Sequence, residues 1–192
     1  FLVDNGFNEV INFPFCDEKL PSSISIDNPL DSQRNNMRIS IKNSLIRSLL
    51  YNERRQHDSV KLFEIADIYF KKSSNISQIK KLGIIASGRQ GHNHRDFSKK
   101  IDKNYMSCTL DPILQNSISF IEEIPRSMLD SKLKDKIFYI ECSLDLISID
   151  IQLTSIHKNK DIRFTQFTEI SSMPSSSRDL SFSIENDKSL LE

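Results

Sequence analysis

Over residues 10–15 apolar and polar side chains alternate, Ile11, Phe13 and Phe15 against Val10, Asn12 and Pro14, the two-residue period of a half-buried strand. Pro14 has no N–H to give a ladder, so that strand belongs at a sheet edge or an interface. Residues 1–5 read as the last turn of a helix, ended by Gly6 in the left-handed conformation. A short strand at 24–26 runs into the turn signal Asn28-Pro29. Between residues 43 and 55, Leu45, Ile46, Leu49 and Leu50 recur at helical spacing. Arg47, Asn52 and Glu53 then face outward, and Asn43 or Ser40 is placed to cap the helix start.

Residues 60–70 form the most hydrophobic strand, apolar on both faces, and so belong inside the sheet. A polar turn at 71–80 and a returning strand at 81–87 complete a hairpin. Residues 88–102 are polar, with Gly88, Gly91 and His92-Asn93-His94, and read as an exposed loop. A short helix is expected at 110–118, opening on Asp111-Pro112. Residues 137–144 alternate strongly, Phe138, Ile140, Cys142 and Leu144 opposite Ile137, Tyr139 and Glu141, after which Asp145 caps a short helix at 146–149. Strands are expected again at 164–170 and from 178 to 184, around a loop holding Pro174. Strands outnumber helices and are joined mostly by short turns. The fold class expected is α+β, a largely antiparallel sheet flanked by helices.

The 192 residues carry 26 Lys plus Arg and 26 Asp plus Glu, so no net charge points to a strongly basic nucleic-acid binder. Any RNA contact must come from a local patch. Cys16, Cys108 and Cys142 are far apart and odd in number, which fits neither a disulfide framework nor a thiolate metal knuckle and suits a reducing, cytoplasmic setting. No apolar run approaches the ~20 residues that cross a bilayer, so no membrane partner is expected. The chain opens on Phe1 and stops at Leu191-Glu192, as expected of a piece excised from a longer protein, with the last two residues resembling a vector scar.

Short motifs follow one another in a fixed order: Gly6-Phe7-Asn8-Glu9-Val10-Ile11-Asn12-Phe13-Pro14-Phe15, Asp27-Asn28-Pro29-Leu30, Met37-Arg38-Ile39-Ser40, Tyr51-Asn52-Glu53-Arg54-Arg55-Gln56 and Lys61-Leu62-Phe63-Glu64-Ile65. The first is similar to the class II aminoacyl-tRNA synthetase motif whose proline sits on a dimer interface. Together, with Leu82-Gly83-Ile84-Ile85-Ala86-Ser87-Gly88 and Ser177-Arg178-Asp179-Leu180-Ser181-Phe182 downstream, they resemble the phenylalanine–tRNA ligase beta subunit, bacterial type. The chain departs from that pattern at Asn43-Ser44, where Pro-Gly is usual, and at Ala66, where glycine is usual.

The resemblance implies a class II synthetase-like core at 1–161, and at 162–192 a linker and the start of a ferredoxin-like anticodon-binding domain. It implies an alpha-beta heterotetramer that charges tRNA(Phe) using ATP and magnesium, with the chemistry on the alpha subunit. No cofactor or metal is then expected on this chain. Its partners would be the alpha subunit and, through the whole complex, tRNA(Phe); Gly6, Phe7, Phe13, Pro14 and Phe15 would form the subunit interface. Self-association of the isolated fragment stays open, as does an alternative: a free-standing paralogue acting as an RNA-binding or dimerisation module.

Chemistry points the same way. Holding ATP phosphates calls for arginines, because charge develops at phosphorus. The strand at 60–70 carries Glu64 and Asp67 and no arginine. Glu64 sits among apolar neighbours and needs a partner. Arg38 is the expected one, in a structural ion pair rather than as part of a general-base site. His92 and His94 lack further ligands at a recognisable spacing and read as solvated. Cys142 reads as core, Cys108 as indifferent. Arg34, Arg38, Arg47, Arg54 and Arg55 make the densest basic cluster, without interleaved aromatics, and read as salt-bridging or subunit contacts.

Overall fold

The computed structural model describes residues 1–72, 75–91, 98–114 and 119–147, and also 169, 172–173, 176 and 178–181. The chain divides into two compact units, Phe1–His157 and Lys158–Glu192. In the first, β1 (Asn8–Glu9), β2 (Phe15–Cys16) and β3 (Asn36–Met37) precede helix α1 (Lys42–Glu53). The long strands β4 (Ser59–Lys72) and β5 (Asn75–Gly88) follow, then α2 (Lys103–Leu110), β6 (Glu122–Ile124) and β7 (Ile137–Ser143). The main sheet has the order β1-β4-β5-β7-β6, with β2 and β3 in a separate ribbon. Only β1 against β4 is parallel; every other pairing is antiparallel. The class is α+β, as the pattern of strands and helices implied.

Alternation along the strands builds a core on each face. Leu62, Ile85, Ile137 and Tyr139 face α1 and pack on Ile41, Leu45 and Leu49. Phe63, Ile84, Phe138, Ile140 and Cys142 face the other way, onto Met106 and Leu110 of α2 and the following Ile113 and Leu114. The two-sided apolar reading of residues 60–70 and the alternation over 137–144 both correspond to this split. Helix α1 lies so close to the sheet that a Cβ on Gly83 would stand 2.8 Å from Leu45 Cδ1.

Two polar networks fix that helix. Ser40 Oγ and the Ile41 N–H donate to Glu141 Oε2 at 2.6 and 3.1 Å, and Lys81 Nζ lies 2.8 Å from Glu141 Oε1. A carboxylate from β7 thus satisfies the helix's exposed start, a task expected of Asn43 or Ser40. Ser40 serves through Glu141, and also accepts from the Lys42 N–H at 3.1 Å. At the other end Arg126 donates to both Glu53 oxygens at 2.7 Å and to Ser87 Oγ at 2.8 Å. Glu53, expected outside, is buried because this guanidinium neutralises it.

Other expectations shift for physical reasons. The strand expected at 10–15 breaks into β1 and β2 around an irregular stretch, and that at 24–26 shrinks to one bridge, Ser25 to Asn36. The polar residues 71–72 and 75–80, expected in a turn, are ladder, paired down to Lys72 and Asn75, because the backbone bonds of a hairpin need no apolar face. Of the helix expected at 110–118, residues 115–118 lie outside the described residues, and the helix that is described, α2, lies earlier. Asp102 Oδ1 accepts the Tyr105 N–H at 2.7 Å and starts α2, and Asp111 ends it, one residue before Pro112. Of the helix expected at 146–149, residues 148–149 lie outside the described residues; Asp145 sits inside a 3-10 turn at Leu144–Leu146, and Ile147 is extended. Residues 1–5 do end in a helical turn, Val3–Asn5, closed by Gly6 at φ 81°.

In the second unit Arg178 to Ser181 carry no strand. The strand expected at 164–170 lies outside the described residues apart from Glu169, as do His92 and His94. Among the described residues no helix is long and apolar enough to cross a membrane.

Candidate functional site

Glu64 lies on the α1 face of β4, 2% exposed. Arg38 Nη1 stands 2.7 Å from its Oε1, and the Arg38 side chain is itself only 8% exposed. Asn12 completes the carboxylate's shell, donating its Nδ2 at 2.7 Å and its backbone N–H at 3.3 Å. Ser48 of α1 in turn donates to Asn12 Oδ1 at 2.9 Å. Arg38 also binds the chain around it: its Nε donates to the Asp67 carbonyl, its N–H to the Pro14 carbonyl at 2.8 Å, and its carbonyl accepts from Tyr69 N–H at 2.9 Å.

This network decides which way residues 10–14 turn. Val10 and Asn12 point inward, the first toward the α1 core and the second to Glu64. Ile11 and Phe13 therefore point out, 94% and 72% exposed, and Phe15 remains 39% exposed. The alternation expected here holds, and its inward side is the one carrying Val10 and Asn12, because a buried carboxylate needs Asn12 more than the core needs Ile11. Leu30, which the sequence reading left out of the site, is fully exposed beside them. A cavity of about 290 Å³ is lined by Phe13, Phe15, Ile26, Pro29 and Leu30 together with Asn28, Asp31 and Arg34.

The five residues expected at an interface are thus not on one surface. Phe13 and Phe15 are on it, and Pro14 lies between them and accepts from Arg38. Gly6 is exposed and serves as the left-handed end of the first turn. Phe7 is 1% exposed and belongs to the core on the α2 face. Single-chain alternation marked Ile11 as strongly as Phe13; the signal for Asn12 was its place opposite both.

Around this edge the arginines are engaged. Arg47 lies 2.7 Å from Asp17, whose carboxyl its hydrogen bond holds below the usual range. Arg54 pairs with Asp130, and Arg55 stacks 3.3 Å over the Tyr51 ring. Burial raises the Cys16 and Cys142 thiols, which favours the unreactive protonated forms. Among the described residues no group of three or more His, Cys, Asp or Glu is placed to hold a metal ion.

β4 has no arginine. Glu64 is spent on Arg38 and Asn12, and Lys61 Nζ is held by the Gln90 carbonyl and Tyr105 Oη, both at 2.6 Å. The sheet face opposite α1 is filled by the apolar side chains of α2 and its flanks.

Residues 1–117 match the phenylalanyl tRNA synthetase beta chain CLM domain. The chain belongs to that family. Among curated relatives it is 37% identical over 108 residues to the phenylalanine–tRNA ligase beta subunit of Thermotoga maritima, covering 52% of this chain and 14% of that protein. It is 30% identical over 114 residues to the beta subunit of Blochmanniella floridana, covering 54% and 14%. With that of Francisella tularensis it aligns over 99% of its length at 25% identity, covering 27% of the relative. The chain therefore spans well under a third of these proteins. A solved pyrrolysyl tRNA synthetase, PylSc of Desulfitobacterium hafniense, overlays on 75% of this chain and 62% of its own, at 13% identity and a TM-score of 0.45.

Proposed function

We propose that this chain is the docking core of a phenylalanine–tRNA ligase beta subunit, which holds a catalytic alpha subunit through the exposed edge at residues 11–15 and activates no amino acid itself. The observation that carries this is the outward turn of Ile11 and Phe13, held in place by a buried ion pair beneath them. Large apolar side chains fixed in an exposed position beside a sheet edge are what an obligate interface buries. Lack of an arginine on β4, full use of the Glu64 carboxylate and the apolar filling of the face opposite α1 support catalytic silence.

In this reading ATP and magnesium serve the alpha subunit, tRNA(Phe) is engaged by the whole cytoplasmic heterotetramer, and residues 162–192 lead into an anticodon-binding domain. Co-expression with an alpha subunit tests it. The chain should co-purify with alpha and, alone, give no phenylalanine-dependent pyrophosphate exchange. Exchange by the pure chain, or an alpha subunit that ignores it, overturns the proposal; a stable homodimer through the same edge would favour the free-standing module.

A further inference from the structure

Tyr51 of α1 is 56% exposed and borders a shallow depression of about 440 Å³ whose walls include Ile11, Arg47, Ser48 and Asn52. Asn12 and Arg47 line both this depression and a cavity of about 210 Å³ that reaches Phe13 and Phe15. A continuous groove therefore runs from Tyr51 to the exposed phenylalanines.

Arg55 adjoins that groove through Tyr51. Its guanidinium stacks 3.3 Å over the ring, and its Nη1 donates to the Tyr51 carbonyl at 3.0 Å. That bond satisfies one of the carbonyls left open at a helix end and uses only one of the guanidinium's N–H donors. Every other arginine described in the first unit faces a carboxylate: Arg34 Asp31, Arg38 Glu64, Arg47 Asp17, Arg54 Asp130, Arg89 Asp58 and Arg126 Glu53. Arg55 is exposed and has no such partner among the described residues. An arginine held flat on a ring with its donors unspent is shaped in advance for a carboxylate, which takes two of them side by side. The helix end beneath it is anchored, because Arg126 holds both oxygens of Glu53.

Building on the docking reading above, we propose that the alpha subunit sets an acidic side chain on Arg55 and an apolar one in the depression between Ile11 and Tyr51. The interface then extends past residues 11–15 onto the outer side of α1. A protein carboxylate fits better than a polyanion because the free cation is single. Arg47 and Arg54, on either side of it in sequence, are spent on Asp17 and Asp130, while Ile11 at 94% exposure calls for apolar cover.

Binding of the whole chain to an immobilised alpha subunit, measured at low and high salt, tests it. Arg55→Glu should weaken binding about 10-fold or more. Arg54→Glu makes the same charge change one residue away, at a side chain paired with Asp130, and should leave binding close to wild type. Arg55→Lys keeps the charge without the planar fork and should fall between Arg55→Glu and wild type. Raising salt should narrow the gap between Arg55→Glu and wild type. If Arg55→Glu melts early, Arg55→Gln, which can still donate to the Tyr51 carbonyl, decides against Arg54→Gln in the same way. Equal losses at the two positions, or none, overturn this inference and leave the docking edge standing, whereas a wild-type chain that does not bind alpha removes both. A homodimer broken by Arg55→Glu and kept by Arg54→Glu would overturn it in favour of a second copy of this chain.

Discussion

Arg38 and Glu64 meet 2.7 Å apart with their side chains 8% and 2% exposed, so a pair buried beneath the surface decides what that surface displays. Asn12 cannot turn outward without leaving Glu64 Oε2 short of a donor, and Ile11 cannot turn inward without displacing Asn12. Replacing Arg38 by methionine strands a buried carboxylate and should cost about 3–5 kcal/mol in urea unfolding. The double variant Arg38→Met/Glu64→Met should recover more than half of that loss, since two apolar groups remove the unmet charge. A double variant no more stable than the single one would show that the pair is not coupled.

Acid should unfold the domain partly through Glu141. Burial on its own raises that carboxyl, but hydrogen bonds from Lys81, Ser40 and Tyr139 outweigh it and hold it below the usual range. A folded value below the unfolded one gives stability that is whole above the unfolded carboxylate range, about pH 4–5, and is lost as pH falls through the folded value. Glu141→Gln should therefore flatten the acid limb of a stability-against-pH curve while lowering the plateau near neutrality. The Tyr139 hydroxyl, raised first by its burial and then by Glu141, stays protonated across that range and contributes nothing to the slope.

Gly6 and Gly88 share positive φ values of 81° and 92° but differ in the space beside them. A Cβ on Gly6 would meet only Lys61 Nζ at 3.8 Å, whereas one on Gly88 would fall 2.0 Å from the Asp58 carbonyl oxygen, in backbone that cannot yield. Gly6→Ala should cost about 1–2 kcal/mol, the strain of a left-handed residue. Gly88→Ala should cost clearly more and separate the end of β5 from the start of β4. Thermal melts of the two variants give the order, and equal losses would contradict the difference in packing.

Periodicity carried most of the fold. The split of Ile137 and Tyr139 from Phe138, Ile140 and Cys142 was readable because a strand between two helical layers leaves no other place for either set. Alternation says which residues share a face, though, and not which face is inside. At residues 10–14 the buried carboxylate decides it, drawing Asn12 in and leaving Ile11 and Phe13 out. Glu53 misled for the same reason, since its partner Arg126 lies 73 residues away and no local pattern joins them. At α1 Ser40 does accept the Lys42 N–H, but local capping rules cannot see Glu141, from 100 residues on, which supplies the acceptor for the Ile41 N–H. Long-range polar pairs, rather than weak propensities, account for what was missed, and the polar part of the candidate site was legible only where one of its pairs, Arg38 with Glu64, could be argued from the cost of an unpaired charge.

Ile11 and Phe13 separate a docking surface from a structural one. At 94% and 72% exposure they contribute little to the core, so Ile11→Asn/Phe13→Asn should leave the unfolding midpoint of the isolated chain within about 0.5 kcal/mol of wild type. The same change removes the apolar anchors that an interface would bury, each worth about 1.5–3 kcal/mol when fully covered. Co-purification with an alpha subunit should then fall by two orders of magnitude or more, about the ratio that 3 kcal/mol gives. Size-exclusion chromatography of the chain alone supplies the control. If the double asparagine variant unfolds early, the edge is part of the fold; if it is stable and still binds alpha in full, the partner sits elsewhere.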